Sequence, residues 1–203
     1  MPTKPAGIRE VVALSLNCRW PGFRSTQLEA LPWSTRCNAI ARSIRALKQR
    51  PQLVMAQELG SVARGNQAGD LLTHCLGLRR QALGLNAVGW DDDRFEYVST
   101  QELVFPDGGQ WPGRTLVAVK LRERKTGRRI RIGSTHLAVK TSNPPVSSTT
   151  ARDLRARQIQ KVVSAVNDDV DDWPMLLGFD SNYNALDQFP KSPRAIARKY
   201  GWR

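Results

Sequence analysis

The sequence predicts a layered domain of the α/β or α+β kind. Three observations point there. Short apolar runs alternate with stretches of helical periodicity, several of those runs end in a polar residue, and 40% of the 203 residues are hydrophobic. That is enough apolar material for a core and too much for a disordered chain.

The elements follow in order. Val11 to Leu16 is an apolar run that reads as a buried strand ending at Asn17. Arg36 to Arg50 sets Ile40, Ile44 and Leu47 on one face and Arg42, Arg45 and Lys48 elsewhere, an amphipathic helix stopped by Pro51. Leu53 to Ala56 is a second buried strand, ending at Gln57 and Glu58. Ala68, Leu71, Leu72, Cys75 and Leu76 recur at helical spacing. Asp91 to Asp93 is a solvated turn, because three adjacent carboxylates repel and cannot converge on one ion. Two short strands are expected after it, Phe95 to Val98 and Glu102 to Phe105.

Leu116 to Leu121 and Ile130 to Ser134 flank Thr126-Gly127 and predict a hairpin with a basic tip. Its second strand leads into His136. Asn143-Pro144-Pro145 opens a loop. Ala151 to Asn167 reads as a helix with Ile159, Val162, Val163 and Val166 inward. Met175 to Gly178 is a strand that delivers Asp180 and Asn182, and a last helix runs near Ser192 to Tyr200 up to Gly201. Trp90 and Trp173 are expected in the core, and Trp111 is a candidate for stacking on a base. Residues 1–8 read as an N-terminal extension and residues 9–203 as one domain.

The 31 Lys and Arg against 18 Asp and Glu give a net charge of +13. The excess is concentrated in residues 1–50 and 101–150, and the densest stretch runs from Lys120 to Arg131. Such a field attracts polyanions and favours nucleic acid over a small phosphorylated molecule. No apolar run of membrane-spanning length exists, and the N-terminus lacks the apolar stretch of a signal peptide, so no membrane and a cytoplasmic location are expected. Cys18, Cys37 and Cys75 are odd in number and widely spaced. They suit a reducing compartment and make neither a disulfide framework nor a zinc ligand set.

Four strand ends carry polar residues: Asn17, Gln57-Glu58, Thr135-His136 and Asp180-Ser181-Asn182. Strand ends are rigid and face a common rim, which is where layered sheets place their sites. Together they offer two carboxylates, an imidazole and the amides of Asn17 and Asn182, a kit for metal-assisted attack on a phosphodiester.

In these residues the chain resembles the endonuclease/exonuclease/phosphatase superfamily, with its deoxyribonuclease-I-like fold. The matching segments are SLN (15–17), LVMAQEL (53–59), RFEYV (94–98), RTLVAVKL (114–121), IRIGSTHL (130–137), RARQIQKVV (155–163) and PMLLGFDSN (174–182). One departure is Phe179, which stands where the family's D-x-N motif has a preceding glycine. The resemblance implies a two-sheet β-sandwich flanked by helices. It implies Glu58 as the ligand of Mg²⁺ or Mn²⁺, and Asn17 and Arg114 as contacts to the metal site or phosphate. His136 would donate to the phosphate or leaving group, Asp180 would position or deprotonate the attacking water, and Asn182 would donate to the phosphoryl oxygens. Arg157 and Gln158 would pack within the fold.

The family's motifs continue to a terminal Ser-Asp-His, and this chain has two histidines, His74 and His136. The expected fold is therefore incomplete at its C-terminus. Three readings remain open: an enzyme with a remodelled site, a fold completed by a second chain, and a non-catalytic binder of nucleic acid or protein. The leading expectation is a divalent-metal-dependent phosphodiester hydrolase acting on DNA. A phosphatase for a small phosphorylated substrate stands behind it.

Overall fold

Two four-stranded sheets face one another, each with helices on its outer side. The computed structural model describes residues 10–18, 31–59, 67–105, 114–137, 148–168 and 173–180. In the first sheet, β1 (Ala13–Asn17) pairs in parallel with β2 (Leu53–Gln57), with Asn17 opposite Gln57. A parallel pair requires a crossover, and α1 (Trp33–Arg45) lies within it. β3 (Arg79–Leu83) and β4 (Asn86–Trp90) form a hairpin through Gly84, whose φ of 60° suits a residue without a Cβ. β4 pairs with β2, so the order is β1-β2-β4-β3.

The second sheet has the order β5-β6-β7-β8. β5 (Phe95–Val104), β6 (Thr115–Glu123) and β7 (Arg129–His136) run antiparallel, and β8 (Met175–Asp180) joins β7 in parallel. α2 (Ser148–Asn167) lies in the crossover from β7 to β8.

Alternation along the strands assigns each side chain to a layer. Leu53, Met55, Val88 and Trp90 meet Phe95, Val117, Val119, Leu121 and Ile132 between the sheets. Val54 and Ala56 point the other way, toward Cys37, Ala41 and Ile44 of α1 and toward Leu71 and Leu72 of a π-helical segment, Gly69–Cys75. Leu116 and Ala118 point toward Ala156, Ile159, Val162 and Val163 of α2. β2 and β6 are thus covered on both faces, which is why each reads as a continuous apolar run.

Two glycines let the layers close. A Cβ on Gly178 would lie 2.6 Å from both the Met55 Cβ and the Ser15 Oγ, so β8 approaches the first sheet closely just before Asp180. Gly133 faces the end of Met175 instead, at 2.5 Å. Buried Arg131 fixes the start of β8: it donates to the Trp173 carbonyl at 3.1 Å and to the Val166 carbonyl at 2.9 Å, tying the end of α2 to the strand.

Several expectations need correction. α1 begins at Trp33 and ends at Arg45, so Leu47 lies beyond it and is exposed. Its inner face is Cys37, Ala41 and Ile44. The two strands expected around residues 95–105 are one strand, kinked by a register shift between Tyr97 and Ser99. β3 and β4 had not been anticipated. The helical spacing at residues 68–76 is realised as a π-helical segment. The loop at Asn143, the last helix near Ser192 to Tyr200, Trp111 and Asn182 lie outside the described residues.

Candidate active site

β1, β2, β7 and β8 end at one rim of the sandwich. Asn17 closes β1, Glu58 follows β2, and His136 and Asp180 are register partners at the ends of β7 and β8. The Asn17 amide donates to Glu58 Oε1 at 2.9 Å and to Asp180 Oδ2 at 2.6 Å, so one side chain bridges the two sheets. His136 Nε2 stands 3.9 Å from Glu58 Oε1 and 3.7 Å from Asp180 Oδ2. One ligand atom from each of Glu58, His136 and Asp180 lies within 4.8 Å of the others.

The backbone at Glu58 is unusual. Its φ of 58° is left-handed, and Glu58 is the one such non-glycine among the described residues. A side chain with a Cβ is strained there, and such strain concentrates at functional sites. The adjacent hydrogen bonds over-determine the turn: the Cys18 amide donates to the Gln57 carbonyl at 2.8 Å, and the Leu59 amide to the Leu85 carbonyl at 3.0 Å.

Below the rim the inter-sheet layer turns from apolar to polar. Gln57 donates to Ser134 Oγ at 3.0 Å, and Ser134 donates to the Ala56 carbonyl at 2.8 Å. The Asn86 amide reaches both Thr115 oxygens at 2.9 Å, while the Thr115 and Thr135 hydroxyls donate to carbonyls of Leu83 and Thr115 at 2.8 Å. A buried polar network of this kind fixes strand ends more sharply than apolar contacts alone. It is a bed on which His136, only 4% exposed, is seated.

Arg114 is buried beside this bed, with Nη1 3.5 Å from the His136 carbonyl. Burial lowers its pKa to about 10, while the negative charges of Glu58 and Asp180 pull in the opposite direction and favour the guanidinium. Arg114 thus supplies fixed positive charge behind the carboxylates. Arg36 of α1 supports the site from another side. Its guanidinium donates to the Cys18 carbonyl at 2.7 Å and sits 5.8 Å from the Trp33 ring centroid. Burial pushes the Cys18 thiol well above its usual range, with Arg36 opposing the shift. Neither Arg36 nor the Asn86–Thr115 pair stands out in the sequence. The available signal was a polar residue opening an otherwise apolar strand.

The donor set fits a small hard cation. The two carboxylates suit Mg²⁺ or Mn²⁺ better than a soft metal, while the His136 imidazole is a borderline ligand that stands beside them. His74 is exposed on the π-helical segment and takes no part in the cluster.

The basic hairpin does not line this rim. Arg122 is opposite Arg129 at one end of β6 and β7, and Leu116 is opposite Thr135 at the other. The tip at residues 124–128 and His136 are thus separated by the length of β7, roughly 25 Å. Asp91 to Asp93 form a turn, with the Asp93 amide donating to Asp91 Oδ1 at 3.1 Å. Among the described residues no helix is long and apolar enough to cross a membrane.

No family model matches the chain, and no curated protein matches it. Solved structures do. D. rerio TDP2 complexed with single strand DNA product aligns over 95% of this chain and 65% of its own, at 14% identity and a TM-score of 0.66. An endonuclease/exonuclease/phosphatase family protein from Bacteroides thetaiotaomicron aligns over 93% and 68%, at 17% identity and 0.68. A mannosyl-6-phosphatase from the same organism aligns over 94% and 71%, at 18% identity and 0.70. The chain therefore spans about two thirds of the length of the structures it resembles. At these identities the likeness is one of architecture, and the chain has the deoxyribonuclease-I-like α/β sandwich of the endonuclease/exonuclease/phosphatase structures.

Proposed function

We propose that this chain is a divalent-metal-dependent phosphoesterase of the endonuclease/exonuclease/phosphatase family, acting on nucleic-acid phosphodiesters. The observation that carries the reading is the meeting of Glu58, His136 and Asp180 around the Asn17 amide, at the end of a sandwich of this architecture. Glu58 would hold Mg²⁺ or Mn²⁺, with Asp180 beside it, and the bound ion supplies neutralisation of charge on the scissile phosphate. Asp180 orients the attacking water and takes its proton. Asn182, beyond the described residues, donates to phosphoryl oxygens as their charge grows, while the Asn17 amide holds the two carboxylates at the metal site. His136 faces the same space and offers a proton or hydrogen bond to the departing oxygen. Arg114 lends the two carboxylates a positive field from below.

The net charge of +13 supports a polymeric anion as substrate, as does the likeness to a TDP2 structure holding a single strand DNA product. The likeness to a mannosyl-6-phosphatase supports a second reading, a monoester phosphatase. Cleavage of plasmid and oligonucleotide DNA, and hydrolysis of a sugar phosphate, are to be measured with Mg²⁺, with Mn²⁺ and with chelator. DNA cleavage that requires metal and falls by about 100-fold or more in both Glu58→Ala and Asp180→Ala is expected, since each removes charge stabilisation at the reacting phosphate. Equal activity in all three proteins would sink the proposal. Sugar phosphate hydrolysis without DNA cleavage would favour the second reading.

A further inference from the structure

Two cysteines 38 positions apart in sequence meet in the fold. Cys37 Sγ of α1 lies 3.2 Å from Cys75 Sγ, at the end of the π-helical segment. That is closer than ordinary contact of two sulfurs, and about 1.2 Å beyond a disulfide bond length. The approach is held on both sides. One turn before Cys37, Trp33 Nε1 donates to Asp70 Oδ2 at 3.1 Å. Two turns after it, Arg45 donates to the carbonyl of Cys75 itself. The two segments therefore cannot slide apart without breaking both ties.

The two thiols differ in access. Cys37 is 2% exposed, and burial together with its hydrogen bond to Cys75 pushes it up to about 12, so it is shielded from direct reaction with peroxide. Cys75 is half-buried and reachable from solvent. Cys18 is buried in the same outer layer but makes no such close sulfur contact among the described residues.

We propose that Cys37 and Cys75 form an oxidative modification site, a dithiol that hydrogen peroxide or another hydroperoxide converts into a disulfide joining α1 to the π-helical segment. The Cys75 sulfur attacks one peroxide oxygen. The S–O bond forms, the O–O bond breaks, and water (or, from another hydroperoxide, the alcohol) leaves with the thiol proton, so that sulfur is oxidised and peroxide reduced. The Cys37 sulfur then attacks the Cys75 sulfur. The S–S bond forms, the S–O bond breaks, and the hydroxyl departs with the Cys37 proton as a second water. The loop so closed contains β2 and Glu58.

The test uses the reduced wild-type chain, treated with a few equivalents of hydrogen peroxide, then digested without reductant and read by mass spectrometry. A Cys37–Cys75 peptide pair lighter by two hydrogens, restored by dithiothreitol, is expected. The oxidised protein should melt roughly 5–10 °C higher, because the cross-link restricts the unfolded chain. Cys75→Ser should leave Cys37 unmodified at the same dose, and Cys37→Ser should strand Cys75 as a sulfenic acid that dimedone traps. A Cys18 cross-link, a link between two chains, or Cys75 carried to the sulfinic acid with Cys37 still free would each overturn the proposal. The wild-type measurement stands even if a serine variant folds poorly.

Discussion

The Asn17 side chain gives one amide group to two carboxylates from opposite sheets. An amide cannot neutralise them, and Glu58 and Asp180 bring two like charges to one place, with the positive charge of buried Arg114 acting against their repulsion. A divalent cation relieves that repulsion in the folded state alone, and so must stabilise it by mass action. At a metal concentration about 100 times the dissociation constant, the gain is about 2.7 kcal/mol. The thermal midpoint in Mg²⁺ should therefore exceed that in chelator, and Glu58→Ala and Asp180→Ala should each erase the difference. A metal-dependent shift of full size in both variants would place the ion elsewhere. The members of this cluster were legible in the sequence as polar ends of apolar strands. Which of them touch was not, because contacts such as Asn17 with Asp180 depend on how the two sheets are stacked. Arg36 and Arg114 were harder still. In a chain with 31 basic residues, nothing local separates a buried guanidinium from an exposed one.

At the scale of elements, the close crossing of β8 over the first sheet sets where Asp180 emerges. The two strand glycines should respond differently to a methyl group. In Gly178→Ala the new Cβ meets the Met55 Cβ and the Ser15 side chain, short groups anchored near the backbone, and a loss of about 1–3 kcal/mol is expected. In Gly133→Ala it meets the mobile end of Met175, which can turn aside, and the loss should stay below about 1.5 kcal/mol. Urea unfolding compares them, and the same loss in both would contradict the packing described. The strands covered on both faces, β2 and β6, declared themselves through unbroken apolar runs. β3 did not, since RRQAL is polar and lies at a sheet edge. β4 did not, since NAVGW carries Asn86 and Gly89, and its place is set by pairing with β2 and β3. α1 stops at Arg45 although apolar periodicity continues to Leu47, because nothing remains for Leu47 to pack against.

For the whole molecule, charge and chemistry lie apart. The basic hairpin tip stands at one end of the sandwich and the carboxylate cluster at the other. Near the tip several charges are already matched: Arg94 with Glu123 at 2.7 Å, Arg122 with Glu96 at 3.5 Å and Arg79 with Asp92 at 3.2 Å. Lys125 and Arg128 are exposed beyond those pairs. If a long polyanion spans the molecule, Lys125→Glu with Arg128→Glu should weaken binding to long DNA about tenfold at low salt and lower the salt slope by about two. Cleavage of a short oligonucleotide should be unchanged. Unaltered affinity for long DNA would remove the tip from the binding surface. The net charge was readable from composition, but its distance from the carboxylate rim was not, since residues 125 and 136 are near in sequence and lie toward opposite ends of one strand.

The left-handed backbone at Glu58 has a consequence for any programme of directed evolution. A glycine would relax the turn there by about 1 kcal/mol, and Glu58→Gly should melt roughly 2–4 °C higher in chelator, as scanning calorimetry would reveal, while losing metal-dependent activity. Selection for heat resistance alone would then reward the loss of this carboxylate, and the sturdiest descendants would be inert. A screen on this scaffold must score the proposed turnover and endurance together, or it will select the carboxylate out of the fold.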